Sequence, residues 1–123
     1  MKKFNIDLIL AHYLECLLWV NSDSNDDNDG MSGIAIYEIE PEQQAKAMAD
    51  IKKFLELVEL SDEAMKECEA DIIDESYIGG NLFLSRNGHG AGFSDEYNIA
   101  LQGIADNMGE TYEYVGDDGK VYL

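Results

Sequence analysis

Residues 4–20 are apolar around most of a helical wheel: Phe4, Ile6, Leu8, Ile9, Leu10, Tyr13, Leu14, Cys16, Leu17, Leu18 and Trp19 leave little polar face. A helix of that kind has to be covered on more than one side, which makes it the spine of whatever the chain folds into. His12 sits among these residues with only Glu15 nearby to titrate against, so it reads as a partly buried core histidine. With 123 residues, 46% of them hydrophobic, one domain over 1–123 has enough apolar surface to close a core around that spine without staples.

Further along, Pro41 suits the first turn of a second helix, with Glu42 at the favourable end of its dipole. Gln44, Met48, Ile51, Leu55 and Val58 recur every three or four residues and form its apolar face. Residues 34–39 before it read as a short strand or an extended lead-in. Ser61 is the expected N-cap of a third helix, with Asp62 and Glu63 in the first turn and Ala64, Met65, Cys68, Ile72 and Ile73 inward. Gly79-Gly80 then reads as the end of the helical region and residues 81–86 as a strand. A fourth helix is expected from an N-cap at Ser94, with Leu101, Ile104, Ala105 and Met108 inward and Gly109 at its end. Asp118-Gly119 between β-prone runs signals a terminal hairpin. The expected fold is α+β: about four helices packed on a small antiparallel sheet that ends in a C-terminal β-hairpin.

The segment from Leu82 to Asp95 carries the chain's sole arginine and three glycines in five positions around His89. Glycine at that density gives the turn a defined shape. Within it, Leu84-Ser85-Arg86-Asn87-Gly88-His89-Gly90-Ala91-Gly92-Phe93 resembles a loop in a family of short proteins carried by bacteriophages and prophages. The ending Tyr114-Val115-Gly116-Asp117-Asp118-Gly119-Lys120-Val121-Tyr122-Leu123 is similar to that family too. The likeness covers the last third well and the first helix, with Trp19, more loosely. Where Ser85 and Ser94 stand, family members often have Thr and Trp. The resemblance implies a phage setting and assigns no reaction.

Charge narrows the function further. The chain holds 26 acidic residues against 8 basic ones, a net of −18. Direct nucleic-acid binding needs cations to displace phosphate counterions, so nucleic acid is excluded as a partner and basic protein surfaces are favoured. No stretch reaches the length of an apolar membrane span, and residues 1–3 are followed by Asp7 and Glu15 rather than a signal-peptide core, so a soluble cytoplasmic protein is expected. Cys16 and Cys68 lie in apolar helical patterns without a CxxC partner and read as reduced, buried thiols. Residues 21–33 are rich in Asn and Asp, but an EF-hand register with its glycine at Gly30 puts Ile36 where a bidentate Glu is required. That segment reads as a solvated connection, and no metal or other cofactor is expected.

Two sets of residues are candidates for function. Glu63, Glu67, Asp71 and Glu75 repeat every four residues and would form an acidic stripe on the third helix. Duplex DNA carries about one charge per 1.7 Å of axis, whereas such a stripe offers about one per 6 Å, so Glu56, Glu59, Asp62, Glu69 and Asp74 around it are needed to complete a surface. Sixteen of the acidic residues lie after Leu55, against Lys66, Arg86 and Lys120. The resulting expectation is a phage anti-defence inhibitor, of anti-restriction or anti-CRISPR type, that occupies the basic nucleic-acid cleft of a host enzyme. The second set is Arg86, Asn87, His89 and Asp95, where a small enzyme would hold an anion and move a proton. The spacing there is neither a P-loop nor a dinucleotide fingerprint. In a purely structural role, Arg86 would fork onto a carboxylate or cap helix carbonyls. A non-catalytic acidic adaptor is the remaining alternative.

Overall fold

The computed structural model describes residues 4–21, 34–70, 73–87, 92–93 and 98–123. These form five α-helices and one two-stranded antiparallel sheet: α1 (Ile6–Val20), α2 (Pro41–Glu59), α3 (Asp62–Ala70), α4 (Glu75–Asn87), α5 (Ile99–Met108), β1 (Tyr114–Val115) and β2 (Val121–Tyr122). The mixed helix and hairpin architecture is the expected one. The element that fills the middle of it is not.

Residues 81–86 are helical, within α4, and Gly79-Gly80 lies inside that helix rather than ending it. Asp74 starts α4, its carboxylate accepting the Tyr77 N–H at 2.9 Å. Apolar side chains then recur at helical spacing, with Ile78, Leu82 and Phe83 buried. Gly79 explains why the glycine pair is no break. A Cβ there would lie 2.6 Å from the Ile9 carbonyl oxygen and 2.9 Å from the Tyr13 nitrogen, so glycine lets α4 press onto the backbone of α1. This α1–α4 pairing is the most extensive in the fold. The sheet accordingly has two strands instead of the expected three.

α1 is the spine, capped by Asn5, whose side chain accepts the N–H groups of Asp7 and Leu8. Ile9, Tyr13, Leu14, Leu17 and Leu18 are buried against α4 and α2, while Leu8 and Trp19 face outward. The apolar wheel is therefore not covered all round. Residues 36–38 form a 3-10 turn in place of a strand. On α2 the buried face is Gln43, Ala47, Ile51, Phe54 and Val58, shifted from the expected one because Phe54 points inward and Gln43 is drawn in to accept the Leu123 N–H at 2.9 Å. Ser61 caps α3, accepting the Ala64 N–H at 3.2 Å. That helix holds Glu63 and Glu67 of the stripe it was expected to carry, while Glu75 lies in α4.

α5 begins at Ile99, and the expected cap at Ser94 lies outside the described residues. Its first N–H groups are bonded from another helix: the Glu67 carboxylate accepts Ala100 at 2.8 Å and Leu101 at 3.0 Å. Gly109 ends it with a φ of 79°. The core closes with Tyr13 edge-on to Phe83 and Phe54 stacked on Phe93, ring centres 5.5 Å apart in each pair. Phe93 is seated by Gly92, whose φ of 126° and close approach to Ser85 admit no side chain. Ser85 Oγ accepts the Phe93 N–H at 2.9 Å.

The hairpin pairs Tyr114 with Tyr122 and Val115 with Val121. Its turn is closed by Gly116 N–H to Lys120 O and Gly119 N–H to Gly116 O, each 2.9 Å. Val121 is buried in the common core, and Lys120 reaches Glu40 at 3.3 Å. The Asn/Asp-rich segment, residues 22–33, lies outside the described residues, as do residues 71–72 and 88–91. Among the described residues no helix is long and apolar enough to cross a membrane, and no His, Cys, Asp and Glu cluster suits a metal ion. Cys16 and Cys68 are not joined in a disulfide; Cys68 is buried and Cys16 partly so.

Candidate functional site

The two sets of candidates fare differently. In the loop set, Arg86 is 9% exposed and sits where four helices meet. Its Nε donates to the Gly109 carbonyl at 2.9 Å, and Nη1 donates to Asp50 Oδ2 at 2.9 Å and to the Tyr13 hydroxyl at 3.1 Å. Nη2 points to the Met108 carbonyl at 3.5 Å. One guanidinium thus bonds a carboxylate of α2 through Nη1 alone rather than as a fork, meets α1, and covers the open carbonyls at the end of α5, where a cation also suits the dipole.

Burial pushes the Tyr13 hydroxyl up to about 12, partly opposed by the Arg86 charge. Burial alone would lower the Arg86 value, but its contacts with Tyr13 and Asp50 outweigh that and hold it above the usual arginine range. The guanidinium stays charged and is committed to protein acceptors. Asn87 is likewise engaged, its Oδ1 accepting both the N–H and the hydroxyl of Thr111 at 3.0 Å. His89 and Asp95 lie outside the described residues. A pocket of about 480 Å³ opens beside Arg86 between α1, α2 and residues 110–113, with Asp50, Glu110 and Glu113 facing Lys46 and Arg86. Its lining mixes both signs of charge and places no free guanidinium.

The acidic set splits in two. Glu67 caps α5, and Glu75 Oε2 accepts the Asn5 N–H at 2.9 Å just before α1. Asp74 caps α4. These three serve helix starts on three different helices, and Asp71 lies outside the described residues. The four-residue stripe is therefore not a feature of one helix, because Glu67 lies on α3 and Glu75 on α4.

The other four remain together. Glu56 and Glu59 close α2, Asp62 and Glu63 open α3, and all four side chains are exposed with no ion pair among the described residues. At the turn between them Leu60 is 84% exposed. No cation lies between Glu56 and Glu63 in the chain. Carboxylates in the first turn of α3 are favoured by its dipole, whereas Glu56 and Glu59 stand at the unfavourable end of α2. Glu69 on α3 and Asp106 on α5 are also exposed. A chemical role here is to attract cations.

Glu67 was the residue whose role sequence reasoning missed. Its signal is the spacing between a third-helix Glu and a helix start that lacks its own side-chain cap, and that pairing exists only in three dimensions. No protein-family description, curated protein or solved structure matches this chain.

Proposed function

We propose that the chain is an acidic inhibitor of phage type, which docks its α2–α3 corner into the basic nucleic-acid cleft of a host DNA-processing or nucleic-acid-guided enzyme and keeps the substrate out. The observation that carries this reading is the group of Glu56, Glu59, Asp62 and Glu63. These exposed carboxylates flank an exposed leucine in the chain, with no cation between them in sequence, inside a protein of net charge −18. Crowding of like charges destabilises the fold, and it speeds encounter with a basic target. At about 1.7 Å of duplex per charge, four carboxylates stand in for about 7 Å of DNA. The corner is therefore an anchor. Leu60 adds an apolar contact that DNA itself does not offer.

The experiment is inhibition of purified restriction, RNA-guided and repair nucleases, with labelled duplex as the competitor. Inhibition of at least one, relieved by excess duplex and weakened as salt rises above 0.1 M, where screening acts over about 10 Å, is the expected result. Neutralising the four corner residues to Gln or Asn removes it. If His89→Ala abolishes function and the neutralised corner does not, the loop is the working site and the inhibitor reading fails. Arg86→Ala is unsuited to that comparison, since Arg86 holds four helices together.

A further inference from the structure

Trp19 is the chain's single tryptophan, and it stands 74% exposed on the outer side of the helix that forms the spine. Beside it a shallow groove of about 390 Å³ runs between α1 and α4, lined by His12, Glu15, Cys16, Trp19, Ser76 and Gly80. The four α1 residues share one helix face by their spacing. The Glu15 side chain is 71% exposed, with its carboxylate 3.9 Å from His12 Nδ1. Leu8, four residues before His12, extends an apolar edge along the same face.

The floor of this groove is informative. Gly79 and Gly80 are adjacent in the interior of α4, where each glycine is unfavourable relative to alanine. Gly79 has a packing reason, the close approach of α1. Gly80 has none: a Cβ there would meet nothing within 4 Å among the described residues. Openness alone is no signal, since Gly103 on α5 is as open. What distinguishes Gly80 is that it lines the groove together with Trp19. The Cys16 thiol points at the Gly80 carbonyl at 3.7 Å and is pushed up by burial and then by Glu15, so it stays neutral. The groove therefore offers an indole face, a carboxylate and a side-chain-free floor.

We infer that this groove receives a lysine or arginine side chain of the basic partner protein, its stem lying over Gly80 and against Trp19 and its charge beside Glu15. The inference rests on the proposed function for the partner's being basic, and it assigns a second point of contact to the same complex. Trp is the best aromatic platform for a cation, and long basic side chains carry an apolar stem that covers an exposed ring. The net charge of −18 favours a cationic occupant over a neutral or anionic one.

The test uses the full chain with three amidated hexapeptides, of arginine, of citrulline and of glutamate, and reads the emission of Trp19. Hexa-arginine is expected to shift that emission saturably, while the neutral and acidic peptides leave it unchanged. With labelled hexa-arginine, Trp19→Ala and Gly80→Leu each weaken binding by about two- to fivefold. Gly80→Ala raises the melting temperature by a few degrees, which shows that the position tolerates a side chain. Unchanged emission, or unchanged affinity in both groove variants, overturns the assignment. If affinity instead falls only in the neutralised α2–α3 corner, the groove is not a site and the corner reading stands. Loss in the groove variants alone keeps the groove and removes the corner. Emission that changes with protein concentration before peptide is added, with a dimer in sedimentation, assigns the groove to a second copy and also overturns the proposal.

Discussion

The Arg86 node and the α2–α3 corner hold the same kinds of charged group under opposite conditions. At the node a single cation is nearly enclosed and meets Asp50, the Tyr13 hydroxyl and two helix-end carbonyls. At the corner four exposed carboxylates make no ion pair among the described residues. The first arrangement holds helices in place; in the second, Asp62 and Glu63 gain only from the α3 dipole, and Glu56 and Glu59 add nothing to the fold that a neutral surface would not. Between the two lie Glu67, Glu75 and Asp74, acidic residues that cap helices. The molecule's acidity is thus partly structural, and only the remainder is available for a partner.

The largest test of this contrast is Arg86→Ala. Breaking a buried pair by removing one partner costs about 3–5 kcal/mol. Because the Asp50 side chain is 46% exposed and water can reach it, the lower end of that range is expected from urea unfolding. A loss below 1 kcal/mol would make the node incidental.

Alkaline titration is next. The Tyr13 hydroxyl is raised from 10.0 to about 12 in the fold. Its contribution is fully present below pH 10 and is lost as pH rises from 10 through about 12, since the unfolded chain releases that proton first. The shift corresponds to about 3 kcal/mol, and Tyr13→Phe removes this part of the pH dependence. Gly79→Ala forces a Cβ against the α1 backbone and is expected to cost about 1–3 kcal/mol.

Glu67→Ala uncaps α5 and is expected to lose about 1 kcal/mol, checked by urea midpoint at constant slope. The smallest effect belongs to the corner. Neutralising Glu56, Glu59, Asp62 or Glu63 singly changes stability by no more than about 0.5 kcal/mol, with gains where repulsion is relieved. A loss as large as that of Glu67→Ala would erase the distinction between the two groups.

Much of this was legible in the residues. Pro41, Ser61, Gly109 and the Asp118-Gly119 turn stand where their local chemistry places them, because caps and turns are decided within a few residues. α4 was misread for the opposite reason. Gly79-Gly80 looks like a break until α1 is set beside it, and only then does the first glycine become a contact. Glu75, next to the Asp74 cap, was a helix-start signal, but it also continued the four-residue acidic spacing of the helix before. The stripe and the helix start are alternative readings of the same carboxylate, and the beginning of α4 at Glu75 decides between them. Trp19 was placed with the core by its apolar neighbours, although Glu15, four residues before it, marks the outer side.

The most direct measurement compares one variant with the wild-type chain in two assays. With Glu56, Glu59, Asp62 and Glu63 all neutralised, thermal unfolding and competition against duplex DNA for a susceptible nuclease are recorded side by side. A melting temperature equal to or above that of the wild type, together with at least a tenfold loss of competition, is the predicted result. Competition that survives neutralisation, or a fold that melts many degrees lower, would contradict the assignment of these carboxylates to a partner.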